Sequence, residues 1–178
     1  TTLTNGNLDG STSSGMVAGT IGVSSGKWYW ESTTSVTSGT YYVLVVLASY
    51  SSPNNDGHMG ASAANIYSYG YASNTGNKHN NGSSVAYGSA FQTIGDVVGI
   101  AFDADNGTLT FYKNGVSQGT AYSGITGQGP YYPAVSCYAS TSYNNFGTIS
   151  FKYPIPAGHK PFAQARSVTK LNSPASGD

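Results

Sequence analysis

The chain has 178 residues, and only 8% of them are Asp, Glu, Lys or Arg, seven basic against seven acidic, where ordinary globular proteins carry roughly 25%. Scattered, balanced charge excludes the clustered Lys and Arg that phosphate backbones and anionic membrane surfaces require, and no apolar run is long enough to span a bilayer. A domain of this length buries roughly 70% of its unfolded surface, so it needs no metal or disulfide staple, and the single Cys137 has no intrachain partner.

Sustained helical periodicity is missing. Short runs rich in Val, Ile, Thr, Tyr and Phe, bounded by Gly, Asn, Asp or Ser, predict strands over Met16–Gly22, Lys27–Thr34, Tyr41–Ser49, Asn65–Tyr71 and Val97–Phe102. Further strands are predicted over Thr108–Lys113, Val116–Tyr122, Tyr131–Ala139 and Thr148–Tyr153. About nine strands with no crossover helices make an all-β antiparallel sandwich or barrel. Trp28 and Trp30 alternate on one strand and share a face, which predicts that both pack in or beside the core, with Tyr29 opposite. The run "YYVLVVLAS" is apolar on both faces and belongs at the centre of a sheet. Cys137, in "YYPAVSCYA", reads as a small buried hydrophobe.

The stretch "FDADNGTLTFYKNGV", Phe102 to Val116, raises the one metal question. Asp103, Asp105 and Gly107 alternate as in a calcium loop, but the EF-hand template wants a ligand at its fifth position, Gly at its sixth and Glu at its twelfth. Here those positions hold Gly107, Thr108 and Asn114. Two turns account for every residue instead: Asn106 and Gly107 tolerate left-handed conformations, Asp103 and Asp105 bond nearby amides, and "KNGV" makes a two-residue type I′ turn. An even first loop sets Val98, Ile100 and Phe102 on the same face as Leu109 and Phe111; an odd one would flip the strand. The even loop gives the larger apolar face and is the expectation. No cofactor and no metal are expected.

Catalysis finds no support. The acidic residues are Asp9, Glu31, Asp56, Asp96, Asp103, Asp105 and Asp178, of which three have turn roles. Paired carboxylates facing a cleft, as glycoside hydrolysis needs, would require Glu31 and Asp56 to meet by tertiary chance. His58, His79 and His159 lack metal-ligand spacing, and no Gly-x-Ser-x-Gly elbow occurs.

The segment "GDVVGIAFDADNGTLTFYKNGVSQGTAY", with "GKWYWE" and "YSYGY" upstream and "YYPAVS", "NNFG" and "YPIPAGHKPF" downstream, resembles SPRY domains in order and spacing over Met16–Phe162. The wording "GTLTFYKNGVSQGTAY" is similar to the SPRY-like modules of bacteriophage virion proteins. The resemblance implies a concanavalin-like β-sandwich of two curved antiparallel sheets and a binding module without catalytic activity, with partners met by loops at one end. The bulky "YVLVVLAS" departs from the family's Gly-containing strand.

Two polar, Asn-rich segments, Ser49–Gly60 and Tyr71–Ser84, have the aromatic faces and amide donors that sugar or protein surfaces exploit. Tyr50, Asn54, Asn55, His58, Tyr71, Asn74, His79, Asn80, Asn81, Tyr143 and Asn144 are the candidate ligand-binding residues. The sandwich is expected over residues 1–162 and an extended polar tail over 163–178, ordered only against another chain through Arg166, Val168, Lys170 and Leu171. A nearly uncharged surface has little repulsion to keep copies apart. Together these features lead to the expectation of a non-catalytic protein on a virion surface, on capsid or tail. It would be present in multiple copies, contacting other virion subunits and a host-surface glycan or protein, but neither nucleic acid nor membrane. The alternatives are a purely structural capsid decoration protein and, remotely, a polysaccharide-degrading enzyme. With no coiled-coil or β-helix stalk ahead of the strands, a free-standing accessory protein is expected over a fibre tip.

Overall fold

The structure, a computed structural model, describes residues 2–4, 9–12, 15–36, 39–47, 68–127 and 129–165. Fourteen strands form among them. In chain order the first eight are β1 (Thr2–Thr4), β2 (Asp9–Thr12), β3 (Gly15–Ala18), β4 (Lys27–Val36), β5 (Thr40–Leu47), β6 (Ser68–Ala72), β7 (Asn77–Asn80) and β8 (Ser83–Ala86). The remainder are β9 (Val97–Asp103), β10 (Thr108–Lys113), β11 (Val116–Tyr122), β12 (Tyr131–Tyr138), β13 (Ser140–Asn145) and β14 (Lys160–Pro161), followed by a 3-10 turn at Phe162–Ala165.

The strands build two sheets. One has the order β1-β2-β13-β4-β9-β10-β11, with β14 lying parallel to the first half of β4; the other has the order β3-β12-β5-β6-β7-β8. Every pairing except β14 with β4 is antiparallel. This is the antiparallel sandwich expected, and β5, the strand apolar on both faces, lies inside its sheet as the pattern required.

The hairpin at Phe102–Val116 has the even register. Phe102 pairs with Leu109 and Ile100 with Phe111, so Val98, Ile100, Phe102, Leu109 and Phe111 all face the core and are essentially inaccessible to solvent. Trp30 opposes Ile100 and is buried; Trp28 opposes Phe102 and is half-buried against the same cluster. Val43, Tyr71, Val135 and Cys137 contribute to this core as well. Phe162 closes it, edge-on to both tryptophans at centroid distances of 6.0 and 5.2 Å.

Both turns of the hairpin are built as their residues dictate. Asp103 Oδ1 accepts from the amides of Asp105 (3.1 Å) and Asn106 (3.0 Å), while Oδ2 takes the Asn106 side chain and Lys27 Nζ, each at 2.8 Å. Burial works against the charge on Asp103, but the hydrogen bonds from Lys27 and Asn106 outweigh it and hold the carboxyl down to about 2. Gly107 has φ of +62°, and a Cβ there would press on Thr126 and the Ile125 carbonyl. Asn114 and Gly115, at φ of 49° and 80°, form the type I′ turn.

Three expectations are corrected. Thr148–Tyr153 is not a strand; it crosses the outer face of the first sheet, where Phe151 packs edge-on against Tyr29 at 5.0 Å. Its amides are satisfied by a carboxylate rather than by a neighbouring strand: Glu31, buried, accepts from Lys152 N at 2.9 Å and Tyr153 N at 3.0 Å, and from the Tyr29 hydroxyl at 3.1 Å. The strand on that side is instead Ser140–Asn145. The loop expected over Tyr71–Ser84 is largely the meander β6–β7–β8. The strand expected from Met16 to Gly22 ends at Ala18.

Candidate binding face

Register fixes what lies at each end of the sandwich. β9 runs from Val97, beside Thr33 and the Asn114–Gly115 turn, to Asp103, beside Lys27. At the Asp103 end the chain enters β4, turns through 104–107, leaves β11 at Tyr122 and rejoins β12 at Tyr131. Tyr131 pairs with Leu47, bridges to Val23 and packs on Phe102 at 5.5 Å, so β5 also finishes here. The described chain, leaving β5 at Leu47, resumes at the same end. It returns at Ser68, whose carbonyl accepts from Asn80 Nδ2 at 2.8 Å. The Asn81–Gly82 turn of the β7–β8 hairpin thus stands beside Ser68, the first residue of β6.

Tertiary bonds lock the platform under these loops. Tyr122 donates to the Gly70 carbonyl at 2.9 Å and stacks edge-on with Tyr69 at 5.3 Å. Lys78 reaches across from the other sheet to the Ala121 carbonyl at 2.7 Å, with its ammonium 5.3 Å from the Tyr122 ring. Burial pushes the Tyr122 phenol well above its ordinary range, so it remains a neutral donor. On the loops Asp105 Oδ1 accepts from Gly26 N at 2.7 Å, and Ile125 N donates to the Gly107 carbonyl at 2.9 Å. Exposed above this platform are Asn81, Gly82, Ser123, Gly124, Thr126 and Gly127. The result is a polar, nearly uncharged rim on a rigid base.

The opposite end is made differently. Its connections at Ser73–Thr75 and Asn114–Gly115 are tight turns, and its crossover from Tyr87 to Asp96 is tied down. Asp96 Oδ2 accepts from Thr93 N at 3.2 Å, Asp96 Oδ1 from Asn114 Nδ2 at 2.8 Å, and Lys113 donates to the Ala90 carbonyl at 2.6 Å. It exposes two aliphatics, Ile94 at 68% and Val116 at 65%.

The candidate ligand residues distribute unevenly over this frame. Tyr50, Asn54, Asn55 and His58 lie outside the described residues, as do Arg166, Val168, Lys170 and Leu171. His79, Asn80 and Asn81 are brought together at the Asp103 end, the first two half-buried and Asn81 exposed. Asn74 is exposed but sits at the opposite end of β6. Tyr143 and Asn144 belong to β13, on the far side of β4 from β9, β10 and β11, and do not join the others. Tyr71 is placed in the core, not on a loop: it is fully buried, donates to the Ser89 carbonyl and packs on Phe91 and Phe111 at 4.6 and 5.1 Å. The alternation of "SYGYA" carried that inward direction, since Tyr69 and Tyr71 share a face. Residues not singled out from sequence, Tyr122, Lys78 and Ser123, complete the face; their signal is tertiary and has no local motif. Among the described residues, no three His, Cys, Asp or Glu side chains gather as a metal site.

Comparison with known proteins agrees with this architecture. The SPRY domain family signature matches residues 27–149. The chain is 41% identical over 83 residues to the E3 ubiquitin-protein ligase RKP of Arabidopsis thaliana, covering 44% of this chain and 6% of that protein. It is 30% identical over 149 residues to the probable ATP-dependent RNA helicase ddx1 of Dictyostelium discoideum, covering 84% of this chain and 18% of that protein. The chain thus spans a small fraction of the length of these curated relatives. The crystal structure of the SPRY domain of human HERC1 superposes with a TM-score of 0.62 at 23% identity, over 79% of this chain and 87% of that one, which shows the fold. With the signature spanning β4 through β13 and the two sheets assembled as above, the chain belongs to the SPRY domain family.

Proposed function

We propose that this chain is a non-catalytic docking module that binds a segment of a partner protein at the Asp103 end of the sandwich. The carrying observation is the asymmetry of the two ends. One sets the exposed Asn81–Gly82 turn and the 123–127 loop on a locked aromatic platform, and at the other two tight turns flank a crossover, Tyr87–Asp96, that Asp96 and Lys113 tie down. Loops positioned by a rigid scaffold are where binding residues concentrate, and SPRY domains are protein-binding modules. The rim's polar, uncharged character favours recognition by hydrogen bonds and shape over charge steering.

The finer setting, a virion surface with host glycan, host protein or other virion subunits as partner, is supported by the wording of Gly107–Tyr122 and by the low charge of the chain. The curated relatives named above come from a plant and a slime mould. Protein is therefore the ligand class proposed here, and a glycan-array signal in place of peptide binding would replace it.

The test uses matched substitutions at the two ends against peptides selected on the purified domain from a random display library. Ser123→Arg adds a bulky cation to the proposed face; Asn74→Arg adds the same group to an exposed turn at the other end. The expected result is an affinity loss of about tenfold or more for Ser123→Arg alone, the scale of one good interfacial contact. Equal losses for both, or a loss only for Asn74→Arg, would overturn the assignment.

A further inference from the structure

The sequence contains four Asn-Gly pairs, at Asn5, Asn81, Asn106 and Asn114. The last three lie among the described residues, each at a hairpin turn, and their side chains are held very differently. Asn114 Oδ1 accepts from Val97 N at 2.9 Å, and its Nδ2 donates to Asp96 at 2.8 Å. Asn106 Nδ2 donates to Asp103 at 2.8 Å, and the Asn106 amide is anchored to the same carboxylate at 3.0 Å. Asn81 is exposed at φ of 51°, and among the described residues its side chain makes no hydrogen bond.

We propose that Asn81 is a site of spontaneous chemical modification, converting to isoaspartate and aspartate through a succinimide. The Gly82 nitrogen, as it loses its proton to solvent base, attacks the Asn81 side-chain carbonyl carbon. The new N–C bond closes a five-membered imide, and the side-chain nitrogen leaves as ammonia after taking up a proton. Water then opens the ring at either carbonyl, leaving isoaspartate or aspartate; no electrons are transferred, and each ring opening breaks one C–N bond, returns a proton to that nitrogen and creates one carboxylate. Glycine at position 82 has no side chain to block the approach, and an unrestrained Asn81 side chain can swing toward the attacking nitrogen. At Asn106 and Asn114 the same swing first breaks bonds to Asp103, or to Val97 and Asp96. The product places a new negative charge on the tip of the β7–β8 hairpin, on a chain whose formal net charge is zero. The isoaspartyl form also lengthens the backbone within a two-residue turn, where the extra atom disturbs the Asn80–Ser83 pairing.

The folded protein is incubated at mildly alkaline pH, digested, and the mass gain localised by peptide fragmentation, with a urea-unfolded sample as reference. In the folded state Asn81 is expected to convert about tenfold faster than Asn106 or Asn114, the factor that one net hydrogen bond of restraint supplies. In urea the three rates should converge. Asn81→Gly, which keeps the left-handed turn, should abolish the gain at this position without changing the circular dichroism spectrum. Equal rates at the three turns in the folded protein, or an Asn81 protected like the others, would overturn the proposal.

Discussion

Asp103 links a turn, a strand end and a cation through one carboxylate, and its titration follows from those bonds. Its carboxyl is lowered from the usual 3.8 to about 2. A lowered value in the folded state means that the unfolded chain binds the proton first as acid is added. The stabilisation from Asp103 is therefore complete above its unfolded value and lost as pH falls from about 3.8 to about 2. Denaturant titrations should show the stability gap between the native protein and Asp103→Asn closing across that window. A gap that stays constant would mean that the Lys27 and Asn106 contacts do not act on the charge. These turn roles were legible in the sequence because Asp, Asn and Gly act on amides two or three residues away. Tyr71 was misplaced as a loop residue because its environment is set by Phe91 and Phe111, far along the chain.

At the scale of elements, local pattern was enough wherever a β-rich run lies between turn formers, whether alternating as in β10 or apolar throughout as in β9. It was insufficient for β7, β8 and β13. "NKHN", "SSVA" and "STSYNN" carry little apolar content, and their pairing with neighbouring strands rather than a local apolar pattern makes them strands. The opposite error occurred at Thr148–Tyr153, which alternates like a strand but is fastened by Glu31. Replacing Glu31 with alanine removes the acceptor for two backbone amides and the Tyr29 hydroxyl, and hydrogen bonds to charged groups contribute about 1.5–3 kcal/mol each. Offset by release of the buried carboxylate, the net loss is expected at about 3 kcal/mol in equilibrium unfolding. Cleavage by trypsin after Lys152 should accompany it. A variant as stable and as resistant as the native protein would show that the 150–153 crossing is held by Phe151 alone.

For the molecule as a whole, membership of the SPRY family and the sandwich were legible from the ordered fragments between "GKWYWE" and "NNFG". The binding face was legible only in part. His79, Asn80 and Asn81 were found as Asn-rich turn chemistry, whereas the platform of Tyr69, Lys78 and Tyr122 exists only once the two sheets meet. The segment beyond Ala165 lies outside the described residues, and we propose for it an assembly role. Its polar composition cannot offset an ordering cost of roughly 1–2 kcal/mol per residue without a second chain. Removing residues 166–178 should leave the melting temperature unchanged and lower the sedimentation-derived mass of any oligomer; a destabilised monomer would make the tail part of its own fold.

The docking face itself is tested most directly by amide chemical-shift mapping of the nitrogen-15-labelled domain, titrated with a peptide selected on it. The account predicts perturbations concentrated at His79–Gly82 and at 123–127, with Ile94, Val116 and β13 unmoved. Perturbations gathered around Ile94 and Val116 instead would place recognition at the Asn114 end and contradict it.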